Sequence, residues 1–263
     1  MSSYYTTAKI KKIRKENYRV NTIELDCSLE NAQAGQFVML WFPRLNEKPM
    51  CVVRASPLWL SVAAVGDFTN AVDDLKEGDV LSFRGPLGKG FWFDKGAKSI
   101  LLVGGGYGVA ALNFLANEAL KKKIKPVMVI GARKKEDIIF KKDFEANGIE
   151  TLIATDDGGE GFKGRAHELA EKLLAEGRKF DCFYACGPEK MMQAVARVAE
   201  KNGIESQLAL ERYMGCGLGI CGKCDAGGEL VCKDGPVMTG ERALKLAEFG
   251  ICHRDTMGHK VKW

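Results

Sequence analysis

Residues 216–232, CGLGICGKCDAGGELVC, place four cysteines and five glycines within seventeen positions. A tight turn needs only one or two glycines and a disulfide needs only two cysteines, so neither accounts for this composition. The spacing C-x4-C-x2-C, with a further cysteine after seven residues, is typical of plant-type [2Fe–2S] sites. Glycines without a Cβ let the backbone fold around inorganic sulfide and offer it N–H groups. The segment therefore predicts a [2Fe–2S] cluster bound by Cys216, Cys221, Cys224 and Cys232.

Four cysteines in one segment have two other uses besides binding a cluster. Four thiolates can hold a structural zinc ion, although zinc sites usually show two C-x2-C pairs. Disulfides need an oxidising compartment, and the N-terminus has no apolar stretch behind its positive charges that would indicate a secretory signal. Cys252 is a weaker candidate for the fourth ligand, because it lies farther along the chain in the context FGICHRD. Zinc remains the alternative to iron.

The composition of the chain favours a globular protein over a nucleic-acid-binding or membrane protein. The chain has 263 residues, 46% hydrophobic and 28% charged, which is ordinary for a globular protein of two domains and a small appendix. The net charge of +5 is scattered, so we expect no nucleic-acid partner. No apolar run approaches the roughly 20 residues of a membrane span. We expect a cytoplasmic protein with no membrane partner.

The chain divides into three regions by pattern. Residues 1–97 contain short strand-like runs separated by turn residues, which predicts a small antiparallel β-barrel or sandwich. Residues 98–207 alternate apolar strands with helical patterns, which predicts a parallel sheet with crossover helices. Residues 208–263 hold the cysteine loop and a short polar tail. The expected fold class is therefore α/β plus β in several domains.

Glycines follow the first strand of the second region, in LLVGGGYGVAAL. A glycine turn that leads into a helix can bind a pyrophosphate, which makes Gly104, Gly105, Gly106 and Gly108 candidates. The spacing is not the GxGxxG fingerprint, so a tight turn without a ligand stays open. Loops after two later strands meet the same sheet edge. One loop offers the carboxylates of Asp156 and Asp157, which can accept hydrogen bonds from ribose hydroxyls. The other offers the turn Cys186, Gly187 and Pro188, which can lie against a flat ring.

Several segments together resemble one known family. They are GPLGKGF, LLVGGGYGVAAL, TDDGGEGFKG, YACGPEKMM, LERYMGCGLGICGKC and VCKDGPV. In this order they are similar to the electron transfer subunit of type B dihydroorotate dehydrogenase, within the ferredoxin-reductase superfamily. The resemblance implies an FAD-binding barrel at 1–97, an NAD(P)-binding α/β domain at 98–207, and a [2Fe–2S] domain with a tail at 208–263.

The resemblance also assigns a flavin site. The Arg-Pro-x-Ser motif of the family corresponds to Lys48, Pro49, Met50 and Cys51. Lys48 offers a single point charge where the family has the two-pronged guanidinium of arginine. Cys51 offers a thiol where the family has a serine hydroxyl near flavin N5. The preceding flavin-contact strand corresponds to Ser61, Val62 and Ala63. The Gly-x-Gly-Thr stretch appears with Phe68 in place of the second glycine, followed by Thr69.

The family implies that electrons pass between NADH or NADPH and a partner, through FAD and the cluster, in either direction. The implied partner is an FMN-containing dihydroorotate dehydrogenase subunit, in a heterotetramer of two copies of each chain, with docking through the cluster loop and the tail FGICHRDTMGHKVKW. Two alternatives remain open. One is the same cofactor chain serving a ferredoxin:NADP oxidoreductase, hydrogenase or sulfide dehydrogenase. The other is a zinc-bearing module without catalytic activity.

Overall fold

The computed structural model describes residues 5–262; residues 1–4 and Trp263, the last residue of the predicted docking tail, lie outside them. Six antiparallel strands form a closed barrel in the order β1-β2-β5-β4-β3-β6. Its elements are β1 (Thr6–Lys15), β2 (Val20–Leu25), β3 (Phe37–Trp41), β4 (Glu47–Arg54), β5 (Trp59–Ala63), α1 (Asp67–Asp73) and β6 (Val80–Leu87). Alternate residues face the barrel interior, as Ala8 and Ile10 do between the exposed lysines of β1.

A second sheet follows, whose central strands are nearly continuous apolar runs because helices cover both faces. It begins with β7 (Ser99–Gly105), a 3-10 turn (Gly106–Gly108), α2 (Val109–Lys121), β8 (Lys125–Ala132), a second 3-10 turn (Lys135–Asp137), α3 (Lys141–Ala146), β9 (Glu150–Thr155) and β10 (Phe162–Lys163). It continues with α4 (Ala166–Ala175), β11 (Cys182–Cys186), α5 (Glu189–Lys201) and β12 (Glu205–Ala209).

The last region of the chain packs onto both earlier ones. Its elements are α6 (Val231–Asp234), β13 (Val237–Thr239), α7 (Gly240–Leu244), β14 (Cys252–Arg254) and β15 (Lys260–Lys262). Strand β13 pairs antiparallel with β12 at the edge of the sheet, which has the order β10-β9-β8-β7-β11-β12-β13 and is otherwise parallel. The Lys89 N–H, just beyond β6, donates to the Gly235 carbonyl at 2.6 Å. The cysteine loop is thereby fixed between the barrel and the sheet.

The predicted fold class is confirmed, and the barrel is closed rather than a sandwich. The tail forms a two-stranded hairpin of β14 and β15. The limits at 97 and 207 remain predictions, although β13 shows that the third region completes the second sheet. Among the described residues, no helix combines the length and the apolar character of a membrane span.

Candidate functional site

A cavity of about 710 Å³ lies at the carboxyl ends of the parallel strands, against the β1–β2 turn of the barrel. This is where open parallel sheets bind ligands. The turn contributes Asn17 and Arg19, and the Arg19 guanidinium stacks over the Tyr107 ring at 5.3 Å. The cavity is long enough to involve the ends of four strands, β9, β8, β7 and β11, whose loops supply most of its lining.

Most of the residues that the sequence predicts for a nucleotide line this cavity. Those that do are Gly105, Gly106, Gly108, Asp156, Gly187 and Pro188. The other three do not. Gly104 lies inside β7, where a Cβ would meet Met128 and Val109 at 2.8 Å. The Asp157 carboxylate accepts the Gly159 N–H at 2.8 Å, and Cys186 is buried at the end of β11.

Three ionisable groups from distant parts of the chain meet beside the cavity. They are Cys51 on β4, Cys186 on β11 and Glu211 just after β12. Burial raises the pKa of the Cys51 thiol to about 12, with a further rise from Glu211. Burial also raises the pKa of the Cys186 thiol well above its usual value, helped by Glu211 and then Cys51. Glu211 is exposed to the cavity that it lines, and the protein packed around its carboxyl group raises the pKa of that group. Both thiols therefore stay protonated at neutral pH.

The flavin positions implied by the resemblance lie on two neighbouring barrel strands. Strands β4 and β5 are antiparallel partners, and Val52 and Leu60 point from them into the barrel core. Cys51 and Ser61 alternate with these residues and are half-buried on the outer face. Pro49 and Ala63 are half-buried on the same strands, whereas Met50 and Val62 are buried.

Helix α1 holds the remaining flavin positions. Phe68 is buried and makes an edge contact with Phe42, with ring centroids 6.3 Å apart. The Thr69 hydroxyl accepts the N–H groups of Val65 and Gly66 at 3.0 and 3.1 Å. It also donates to the Gly66 carbonyl. Phe68 therefore packs in the barrel core, and Thr69 closes the first turn of α1.

The four clustered cysteines lie in two hydrogen-bonded pairs. The side chains of Cys216 and Cys221 interact with each other, as do those of Cys224 and Cys232. Gly217, Gly219 and Gly222 have φ angles of 65°, 76° and 71°, a region that favours glycine. The folded loop places Cys216 beside Cys221, five residues away in sequence, and Cys224 beside Cys232, eight residues away. Cys252 lies elsewhere, and its carbonyl accepts from the buried Arg212 guanidinium.

Backbone N–H groups of the cysteine loop point at the sulfur atoms. Cys216 Sγ accepts from Leu218, Ile220 and Cys221 at 3.3–3.4 Å, and Cys232 Sγ accepts from Gly219 at 3.1 Å. Burial opposes ionisation of Cys216, but the three N–H groups outweigh it and lower the pKa of this thiol to about 6. Donors of this kind stabilise thiolates, the form in which cysteine binds metals. Burial and then the Cys224 thiol raise the pKa of Cys232 to about 12, so this thiol needs a bound metal to ionise. With four cysteines in two pairs and N–H groups aimed at sulfur, the loop fits a group held by thiolates. Within residues 5–262, no set of three His, Cys, Asp or Glu side chains is arranged around a single ion position.

A buried ion pair connects the nucleotide cavity with the cysteine loop and the tail. Glu189, the first residue of α5, pairs with Arg212, and neither side chain is more than 2% exposed. The Glu189 carboxylate also accepts the N–H of Gly250 at 2.8 Å. The Arg212 guanidinium thus braces the segment between Glu211 and Cys216 against the loop that follows β11.

The other end of the cavity carries residues of both charges. Arg133 directly follows β8, where a cation can meet the 2′-phosphate of NADPH, and it pairs with Asp137 through Nε at 3.0 Å. The Tyr18 hydroxyl donates to the same carboxylate at 2.8 Å. Burial opposes ionisation of Asp137, but Tyr18 and Arg133 outweigh it and lower the pKa of this carboxyl group. The Arg133 charge is therefore already matched by a carboxylate.

Sequence reasoning missed many residues that line the cavity, among them Asn17, Arg19 and Glu211. Arg19 and Asn17 come from the β1–β2 turn, which no local pattern connects with the sheet. Glu211 carried a signal, because it is an acidic residue directly after the last apolar run, QLAL.

Two family profiles match the chain. Residues 102–197 match the oxidoreductase NAD-binding domain. Residues 211–243 match the iron–sulfur cluster binding domain of dihydroorotate dehydrogenase B.

Curated relatives match along nearly the whole chain. A probable dihydroorotate dehydrogenase B (NAD(+)) electron transfer subunit of Methanothermobacter thermautotrophicus is 40% identical, over 97% of this chain and 96% of the relative. A protein of the same description from Methanocaldococcus jannaschii is 41% identical, over 96% of each.

Solved structures share the fold. A chain from the NADH-dependent reduced ferredoxin-NADP oxidoreductase, studied for flavin-based electron bifurcation, has a TM-score of 0.81 and 30% identity, over 92% of this chain and 90% of that chain. Phthalate dioxygenase reductase has a TM-score of 0.62 at 19% identity, over 74% of this chain and 64% of that chain, and shares the fold alone.

Proposed function

The chain belongs to the family of dihydroorotate dehydrogenase B electron transfer subunits, oxidoreductase components of the ferredoxin-reductase-like superfamily, and we propose that it passes electrons between NAD(H) and a catalytic partner through FAD and a [2Fe–2S] cluster. The partner is the FMN-containing subunit that converts dihydroorotate to orotate, in a cytoplasmic heterotetramer of two copies of each chain. A family member named as an electron transfer subunit implies a catalytic partner.

One observation carries this proposal: residues 211–216 run from the nucleotide cavity to the cysteine loop. Glu211 lines the cavity beside Cys51 and Cys186, and Cys216 is the first cysteine of the loop. Electron transfer between two bound groups needs them to be close. A short, braced segment that touches both sites supports such a path.

The residues on each side suit their proposed roles. The turn at Gly106–Gly108 ends at the N-terminus of α2, where N–H groups and the helix dipole favour a pyrophosphate. The protonated Cys51 and Cys186 thiols add no negative charge beside a flat ring. Bound FAD would supply the exchange between the two-electron chemistry of NADH and the one-electron chemistry of an iron–sulfur cluster.

The arrangement of the thiols supports a two-iron cluster. Two pairs of cysteines suit two irons, whereas a structural zinc ion needs four ligands around one point. NADH is favoured over NADPH because Arg133 is already paired with Asp137, and the curated relatives are described as NAD(+) proteins.

The visible spectrum of anaerobically purified protein tests the cofactors, together with its iron and zinc content. We expect flavin peaks over a broad iron–sulfur absorbance, about two irons per chain, and bleaching of both by NADH. A colourless, zinc-containing protein indifferent to NADH would contradict the proposal.

A second candidate differs only in the partner. The 30% identity and TM-score of 0.81 to a chain of the NADH-dependent reduced ferredoxin-NADP oxidoreductase favour the same cofactors beside a different large subunit. Affinity purification from the native cell separates the two. Co-purification of an FMN protein that oxidises dihydroorotate supports the first candidate, and a large subunit without that activity supports the second.

A further inference from the structure

Tyr213 lies between two lysines that belong to the two proposed cofactor sites. The Lys48 Nζ atom is 4.4 Å from the centre of the Tyr213 ring, and the Lys223 Nζ atom is 5.6 Å from it. Both distances are within the range of cation–π attraction. Lys48 lies on β4 in the flavin stretch, and Lys223 lies between Cys221 and Cys224 in the cysteine loop. All three side chains are half-buried.

Gly215 shows how close Lys223 comes to a cysteine of the loop. A Cβ atom at Gly215 would lie 3.2 Å from Cys221 Sγ and 3.2 Å from Lys223 Cδ. The Lys223 stem and Cys221 Sγ therefore both lie against Gly215, no more than 6.4 Å from each other. An unrestrained lysine would sample many rotamers in solvent, whereas the ring holds this one back against the loop.

We propose that Tyr213 is a positioning residue that holds the Lys223 ammonium beside the cluster and the Lys48 ammonium on the flavin side, and thereby raises the reduction potential of the cluster. This rests on the proposed function, because it takes the four cysteines to hold an iron–sulfur cluster. Four thiolates make such a site negative, and reduction of the cluster by one electron adds one more negative charge. A fixed cation stabilises the reduced form more than the oxidised form.

The test is an anaerobic redox titration of the purified holoprotein, followed by the electron paramagnetic resonance signal of the reduced cluster. Tyr213→Leu removes the ring, and we expect about a tenfold lower ratio of reduced to oxidised cluster at the wild-type midpoint, or about 59 mV for one electron. Tyr213→Phe keeps the ring face and should titrate like the wild type.

The lysine variants separate this role from a general effect on folding. Lys223→Met should give a shift similar to that of Tyr213→Leu. The double variant should shift no further than Lys223→Met alone, because both substitutions remove the same held charge. Lys172→Met is the matched control. Lys172 lies on α4, away from the cysteine loop, and its Nζ atom is likewise near an aromatic ring, 5.6 Å from the centre of Phe162. This substitution should leave the midpoint unchanged.

The outcomes distinguish the two proposals. An unchanged midpoint in Tyr213→Leu or Lys223→Met, with the signal intact, would overturn the role of Tyr213. An equal shift in Tyr213→Phe would overturn it too, since the hydroxyl rather than the ring would then matter. If Tyr213→Leu loses its iron, Lys223→Met alone decides the question. Wild-type protein with neither iron nor a signal would contradict the proposed function instead.

Discussion

Gly108 shows how tightly the nucleotide site is built, because its α-hydrogen faces the backbone of another loop. Its φ angle is −60°, which any residue adopts, so alanine would introduce no backbone strain here. The added Cβ of Gly108→Ala would lie 2.5 Å from the Gly187 nitrogen and closer still to the Cys186 carbonyl group. These main-chain atoms, unlike a flexible side chain, cannot rotate away.

The cost follows from the separation that the new methyl group demands. Ordinary van der Waals contact begins at 3.4 Å, so the two loops must move apart by roughly 0.9 Å, the difference between 3.4 and 2.5 Å. Overpacking of this kind costs about 1–3 kcal/mol. In a chain of this size a loss of about 2 kcal/mol lowers the melting temperature by about 4–8 °C. The same movement displaces the loop at Gly187 and Pro188, so the affinity for NADH should fall.

Thermal unfolding and NADH titration of the wild type and Gly108→Ala, side by side, measure both effects. Gly66→Ala is the control, because a Cβ there meets nothing within 4 Å and its φ of −177° is extended backbone. It should melt like the wild type. A Gly108→Ala protein with unchanged melting temperature and unchanged NADH affinity would refute the close approach of the two loops.

Three further predictions concern the cysteines, the buried ion pair and pH. Cys232→Ser should lose iron while Cys252→Ser keeps it, as iron analysis of the two purified variants will show; equal iron contents would contradict the ligand assignment. Arg212→Met leaves the Glu189 charge buried without the arginine, so chemical denaturation should show that the free energy of unfolding falls by about 3–5 kcal/mol. It should fall by less in the double variant Arg212→Met/Glu189→Gln, and an equal fall would contradict this. Backbone N–H groups at the start of β7 lower the pKa of Asp181 below 3.8, so its stabilisation is complete above that value and lost as pH falls through the folded-state pKa. Unfolding measured from pH 5 to pH 2 should therefore depend less on pH in Asp181→Asn, and identical profiles would contradict this.

Local pattern was enough for the strands and helices with clear periodicity. The apolar runs of β3, β7 and β11 and the amphipathic helices α4 and α5 are visible in the sequence. Strand β1 does not stand out in the sequence, because its lysines hide the alternation of the few residues that face the barrel. Helix α3 does not stand out either, since only Phe144 of its six residues is buried and no apolar stripe marks it.

The residues of the two candidate sites also fall into those that the sequence reveals and those that only the fold brings together. The cysteine spacing predicts the cluster ligands from neighbours in sequence, and the glycine turn after β7 predicts one wall of the nucleotide cavity. The role of Glu211 beside Cys51 and Cys186 has no local signal of that strength, because each lies on a different element.

The sequence alone therefore determined what is short in range: the order of the three regions, the strand and helix periods, and a cysteine loop of the iron–sulfur type. Only the tertiary structure decided which distant residues share a site. Closing the barrel and adding β13 to the parallel sheet bring β4, β11 and residues 211–216 to one place, and set Tyr213 between Lys48 and Lys223. Periodicity reflects burial along one element, whereas these contacts depend on how separate elements pack.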